Sequence, residues 1–138
     1  MSSTFLLDIV TPEKTVLSTP SAVSVRLPGA MGGFGVLAGH APLLADLGVG
    51  ECIVRFEGGE QKLLALAGGF VDVTRTRVTV LADTAEFDNE IDVTRAEAAL
   101  AKVQALVNSA EGGEGRQEAS EALRRAQVRL RVAKGGDR

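Results

Sequence analysis

Two regimes of hydrophobic patterning divide the chain. From residue 1 to about 85, short apolar runs are broken by glycine and proline, and several alternate with polar positions. Phe5-Leu6-Leu7-Asp8-Ile9-Val10 predicts a strand ended by Thr11-Pro12, because proline lacks the N–H that a ladder needs. Val23, Val25 and Leu27 alternate with Ser24 and Arg26, the period of a half-buried strand, and Pro28-Gly29 stops it. Cys52, Val54 and Phe56 alternate in the same way with Ile53 and Arg55. Glu57-Gly58-Gly59-Glu60 then turns the chain into Lys62-Leu63-Leu64-Ala65-Leu66 as a hairpin. Val71 and Val73, then Val78 and Val80, flank the polar turn Thr74-Arg75-Thr76. About ten short strands with no helical stretch among them predict a β-sandwich or flattened barrel over residues 1–87, and argue against parallel βαβ units.

From Asp92 the period becomes helical. Ala96, Ala99, Leu100, Val103, Leu106 and Val107 recur at three- and four-residue spacing. Asp92 can cap the start, and Thr94 with Glu97 offers an alternative capping box. Asn108-Ser109 and Gly112-Gly113-Glu114-Gly115 end this helix. A second pattern from about Gln117 carries Ala119, Ala122, Leu123, Ala126, Leu130 and Ala133, and closes at Gly135-Gly136. A short glycine-rich link between helices predicts an antiparallel two-helix hairpin over residues 88–138. Both stripes are narrow and rich in alanine, so they bury little area. At about 25 cal/mol per Å2 the hairpin is expected to be weakly held and able to dock in more than one place. The two helices share composition only, so the chain has no internal repeat.

Composition narrows the function classes. A length of 138 residues predicts one core, or one small core with an appendage, and 45% apolar residues exclude a disordered chain. Five Phe without Trp or Tyr leave no stacking platform for single-stranded nucleic acid, and a net charge of −3 argues against a nucleic-acid partner held by phosphate contacts. With Cys52 as the one cysteine, no internal disulfide or cysteine-cluster zinc site is expected, and a reducing compartment fits. The start, MSSTFLLDIV, lacks the basic n-region of a signal peptide, and no apolar run approaches the ~20 residues of a membrane helix. Direct membrane insertion is therefore not expected, and membrane association would come through partners. Charge is uneven: Glu86, Asp88, Glu90, Asp92 and Glu97 form an acidic block, and Arg124, Arg125, Arg129, Arg131 and Lys134 a basic one. Solvated helix faces and termini that suit the helix dipole explain both blocks without a ligand.

Two stretches are candidates for chemistry. Gly32 to Glu51 is dense in glycine and holds the one histidine, His40. A Walker loop needs Gly-Lys-Ser/Thr at a spacing absent here. Gly33, Gly35 and Gly39 miss the dinucleotide fingerprint by one residue, and His40-Ala41-Pro42 does not open a long helix. His40 has no second histidine with which to hold a metal, so no metal site is expected, and no G-x-S-x-G elbow supplies a nucleophile. The plainer reading is that the glycines supply turn geometry, Pro42 pre-sets the following backbone, and His40 satisfies turn groups or meets another subunit. With no catalytic constellation, the chain is expected not to be an enzyme.

The second candidate is Ile91-Asp92-Val93-Thr94-Arg95-Ala96. Asp92 and Arg95 neighbour each other in a first helical turn, and Arg125 and Arg129 share a face of the second helix. In an antiparallel hairpin these four would lie near one another. Guanidiniums grip phosphates and a carboxylate accepts from an adenine amine, so a nucleotide is sterically conceivable. Helix capping and interhelix ion pairs worth about 0–1 kcal/mol account for the same residues.

At this point the residues point to a family. Gly35-Val36-Leu37-Ala38-Gly39-His40-Ala41-Pro42-Leu43-Leu44, Gly68-Gly69-Phe70-Val71-Asp72-Val73, Val78-Thr79-Val80-Leu81-Ala82-Asp83-Thr84-Ala85 and Ile91-Asp92-x-x-Arg95-Ala96 follow one another in order. Over essentially its whole length the chain resembles the ε subunits of F-type ATP synthases (δ in mitochondria). The resemblance implies a non-catalytic rotor subunit whose sandwich binds γ and sits on the c ring, on the cytoplasmic face of a bacterial inner membrane. It helps couple proton flow to ATP synthesis. It also implies a hairpin that folds down or extends towards α and β to inhibit ATP hydrolysis, its basic second helix meeting an acidic region of β. The loop from Pro28 to Gly35, with Met31, Gly33 and Phe34, would face the c ring, and His40, Ala41 and Pro42 would lie near γ. Many relatives carry a glutamate in that loop, where this chain reads Gly-Ala-Met-Gly-Gly-Phe. No cofactor is required, but some relatives bind a regulatory ATP. Carried over by position, that site would comprise Glu86, Asp92, Arg95, Ala96, Arg125 and Arg129, with Lys102 where some relatives have arginine. A free-standing ATP-binding sensor built on the hairpin is the alternative function, and co-purification with α, β and γ distinguishes the two.

Overall fold

The computed structural model describes residues 3–110 and 112–136; Met1, Ser2, Glu111, Asp137 and Arg138, which include the ends of the two predicted domains, lie outside them. Seven strands come first: β1 (Phe5–Val10), β2 (Thr15–Leu27), β3 (Phe34–Leu37), β4 (Leu43–Asp46), β5 (Val49–Phe56), β6 (Gln61–Val73) and β7 (Arg77–Phe87). A short 3-10 turn at Asp88–Glu90 leads to α1 (Val93–Ser109) and α2 (Glu114–Ala133). The strands run in the order β1-β7-β6-β5-β2-β3, with β4 on β6, and β1 also pairs with β2, which closes the sheet into a flattened barrel.

Seven strands replace the expected ten because β2, β6 and β7 each bend and serve both layers. The first half of β2 pairs with β1 and the second with β5 and β3, and Ala22 at the corner pairs with both Phe5 and Phe56. A register shift there puts Ala22 inside and leaves Val23 half-buried, so the predicted alternation holds for Val25 and Leu27 but not for Val23. β1 and β7 run parallel without a helical crossover, because the intervening chain travels round the barrel.

The other corner explains much of the glycine-rich stretch. β4 and β5 pair with β6 on either side of an interruption at Leu47-Gly48. There Leu47 N–H donates to Gly69 C=O at 2.9 Å and Gly68 N–H to Gly48 C=O at 3.1 Å. Gly68 and Gly69 have φ of +70° and +105°, and a Cβ on Gly69 would collide with the Leu81 carbonyl oxygen of the adjacent strand. Gly50 leaves room for the Pro28 ring, and Gly29 bridges to Leu47. The glycines of this stretch thus let strands and one loop cross at close range.

The main core lies between the layers and includes Leu7, Ile9, Val25, Leu27, Val54, Leu64, Leu66, Val71 and Val80. Among the described residues no polar or charged side chain is buried. Cys52 is fully enclosed there, and burial pushes its thiol from 9.0 up to about 12.

At α1 the side chain of Asp92 accepts from Arg95 N–H at 3.0 Å, so Asp92 is the cap and the Thr94–Glu97 box is not used. α2 begins three residues before the expected Gln117, because Gly113, at φ +96°, already supplies the carbonyl that receives Gln117 N–H.

Two outcomes follow. Gly69→Ala should cost at least about 2 kcal/mol in urea unfolding, since strain and a backbone collision coincide; an unchanged midpoint would remove the corner from this account. Cys52 should resist iodoacetamide in the native chain at pH 8.5 and react once urea is added. Because the unfolded thiol ionises first, stability should fall as pH rises from 9.0 towards about 12.

Candidate functional site

α2 meets the sandwich through three parallel rows of side chains. The middle row is Val128 and Val132, 4% and 0% exposed. Four residues apart, they share a face. They pack on Leu63, Ala65, Ile91 and Ala96 in a second core. This face differs from the expected stripe. Ala119, Ala122, Leu123, Ala126, Leu130 and Ala133 are only half-buried, with Leu130 and Ala133 packed at the edge of the second core, while the valines fill it. The signal was two valines four apart among arginines, a row too short to register as a stripe.

Arginines flank this row. On one side, Arg129 Nε donates to Glu86 Oε1 at 2.7 Å and a second guanidinium nitrogen to Oε2 at 3.1 Å. The bonds from Glu86 hold the Arg129 guanidinium above its ordinary pKa. On the other side, Arg131 Nε pairs with Glu51 Oε1, and Arg124 donates to the Val49 carbonyl at 3.3 Å. The Arg129–Glu86 side chains are 41% and 35% exposed, so solvent screening leaves that pair worth about 0–1 kcal/mol. The valine row carries more, at about 1.5–3 kcal/mol per buried side chain.

Beside Arg125 and Arg129 lies a cleft of about 560 Å3 between α2, β6, β7 and the β1–β2 turn. Its walls bring together Glu86, Arg125 and Arg129, three of the six residues expected around a nucleotide, and add Lys14. Asp92, Arg95 and Ala96 do not line it: Asp92 is engaged in capping, Arg95 is exposed, and Ala96 is 2% exposed in the second core. Lys102 is exposed further along α1. The volume suits a nucleotide-sized ligand. Its ionisable lining is Lys14, Arg125 and Arg129 against Glu13, Asp83, Glu86 and Glu90, so phosphates would have to compete with Glu86 for Arg129.

The residues expected to touch partners fall at opposite ends of the segment that runs through β3, which pairs with β2, and β4, which pairs with β6. Met31, Gly33 and Phe34 sit at the corner end, where Met31 is fully exposed. His40, Ala41 and Pro42 form the far turn, near Arg75, whose carbonyl receives Gly39 N–H at 3.3 Å. The His40 ring places Nδ1 2.7 Å from the carbonyl oxygen of its neighbour Ala41. Between these ends runs a feature that sequence periodicity missed. On the outer face of β4-β6-β7-β1, Leu44, Phe70 and Leu81 are 69%, 43% and 37% exposed. Phe70 pairs directly with Leu81, and Leu81 with Val10. Asp72 stands opposite Leu44 and Asp46 opposite Phe70, so the face is an exposed apolar set rimmed by carboxylates, a candidate interaction surface.

The site and fold together are those of a closed sandwich with an exposed apolar face, followed by a docked helical hairpin. The comparisons with known proteins are specific. Residues 4–88 match the model of the "ATP synthase, Delta/Epsilon chain, beta-sandwich domain", and residues 89–134 that of its "long alpha-helix domain". An ATP synthase epsilon chain of Symbiobacterium thermophilum is 44% identical, with 92% of this chain and 91% of the relative covered. One of Anaeromyxobacter dehalogenans (strain 2CP-C) is 48% identical, with 92% and 96% covered. Among solved structures, a chain of the Euglena gracilis mitochondrial ATP synthase (OSCP/F1/c-ring) superposes with a TM-score of 0.83 at 26% identity, covering 97% of this chain and 83% of that one. The chain belongs to the ATP synthase delta/epsilon family. It is a rotor subunit of that membrane-associated complex, accessory to its catalysis. Among the described residues no helix is long and apolar enough to cross a membrane.

If the valine row dominates docking, Val132→Ala should lower the protection of α2 amides against hydrogen exchange by about 1.5–3 kcal/mol. Arg129→Ala should lower it by less than about 1 kcal/mol. The reverse order would mean that the hairpin is held by charge.

Proposed function

We propose that this chain links γ to the c ring on the cytoplasmic face of a bacterial inner membrane, transmits torque between them, and restrains ATP hydrolysis when its hairpin lifts towards α and β. It has no catalytic site of its own. The observation that carries the first part is the exposed set of Leu44, Phe70 and Leu81, which suits an apolar partner face on γ. The fully exposed Met31 on the glycine-rich loop offers an apolar contact to the ring, in the loop where the resemblance gives many relatives a glutamate.

The docked hairpin supports the regulatory part. Its hold is a small second core and two peripheral ion pairs, so a partner with modest differential affinity can shift it. The basic row of α2 would meet an acidic region of β in the extended state. A regulatory ATP in the cleft of Glu86, Arg125 and Arg129 would bridge α2 and β7 and hold the hairpin down.

Leu44→Asp with Phe70→Asp should abolish co-purification with γ while leaving the circular dichroism of the isolated chain unchanged; retention of γ would reject this face. Val132→Asp should keep the complex assembled and lower its ATP hydrolysis. In calorimetric titration of the isolated full chain, ATP should bind saturably and Arg129→Ala should weaken it about tenfold. Absence of heat at millimolar ATP would reject the nucleotide site.

A further inference from the structure

A second cleft, of about 510 Å3, lies on the opposite side of α2 from the first. Its charge is the reverse. Arg26 of β2, Arg124 and Arg131 of α2 line it, with Glu51 as the one carboxylate, and Glu51 is already engaged by Arg131. This cationic excess stands out in a chain whose net charge is −3, and it contrasts with the first cleft, where carboxylates outnumber cations. Arg124 uses a guanidinium nitrogen on the Val49 carbonyl, and no ion pair is found for Arg26 or Arg124 among the described residues. The remaining wall combines apolar side chains, among them Pro28, Val49 and Ile53, with glycines of the corner such as Gly32 and Gly33. At Gly32 no atom lies within 4 Å of where a Cβ would stand, so an anion can approach the main chain closely there.

We propose that this cleft is a phosphoryl-oxyanion site, separate from the Glu86–Arg129 cleft, and that it is complete only when the hairpin is docked. Guanidiniums from two elements converge on one cavity, and their mutual repulsion is relieved by a multiply charged anion with several acceptor oxygens. A cleft of one sign with low-dielectric walls concentrates such anions. Because Arg26 belongs to the sandwich and the other two arginines to α2, an anion bridging them binds the docked arrangement in preference to the undocked one. The ligand chemistry is a di- or polyphosphate, either free or as the phosphate chain of a nucleotide.

The test uses the full-length chain labelled with nitrogen-15, observed at its arginine Nε–H resonances. Sodium pyrophosphate should shift Arg26, Arg124 and Arg131 saturably, beyond the effect of sodium chloride at equal ionic strength. Arg26→Gln, an exposed strand position, should weaken pyrophosphate binding about tenfold and leave the spectrum otherwise native. A parallel titration with ATP separates the sources: shifts at these arginines assign the site to nucleotide phosphates as well, and their absence restricts it to free polyphosphate. The proposal is overturned if pyrophosphate acts only as chloride does, if Arg26→Gln leaves its affinity unchanged, or if both anions move Arg125 and Arg129 alone. The Val132→Asp chain, with its hairpin released, should lose pyrophosphate binding; full retention would also overturn the proposal.

Discussion

The structure depends on the burial of one short run from both sides. Leu63, Leu64, Ala65 and Leu66 sit in consecutive positions of β6, and all four are buried. Leu64 and Leu66 point into the sandwich, while Leu63 and Ala65 point out, under α2. A strand in a half-solvated sheet alternates apolar with polar; a strand covered on both faces does not. The docking place of the hairpin is therefore written in β6 as much as in the helices, and the sandwich has a reason to keep an apolar outer patch that only α2 conceals.

This arrangement makes docking local. α2 supplies Val128 and Val132, while α1 reaches the second core mainly through Ala96 at its first turn. The remainder of α1 packs on α2, and Leu106 is 55% exposed. Glu90 contributes to the junction by accepting from Phe87 N–H at 2.9 Å, which fixes the turn between β7 and α1. The hairpin is held along α2 and pivots, if it moves, at that turn.

What was legible in the sequence follows from which forces are local. Alternation at Val25-Leu27 and Cys52-Val54, the Gly58-Gly59 hairpin and the Asp92 cap depend on neighbours a few residues apart, and the structure contains them. The merging of short strands into β2, β6 and β7 was not legible: in β6 the pair Gly68-Gly69 reads as a break when it is in fact a corner, and in β2 Pro20 does the same. Nor was the exposed apolar set of Leu44, Phe70 and Leu81: its members come from three strands, Phe70 meeting Leu81 through register while Leu44 stands opposite Asp72, diagonal to Phe70. Of the nucleotide set carried over by resemblance, Glu86, Arg125 and Arg129 share a cleft, while Asp92 serves its own helix. Motif spacing places residues on elements; it does not say which way a capping side chain will turn.

The shared corner has a mechanical consequence. Where two separate sheets stack, a twisting load passes between them through side-chain contacts, which yield individually. Here β2, β6 and β7 run unbroken from one layer to the other. A load entering the outer face at Phe70 is carried along covalent backbone through Gly69 and Gly68 to Leu66 and the strands beyond. The same glycines that permit the bend make the domain behave as one folded plate rather than two leaves.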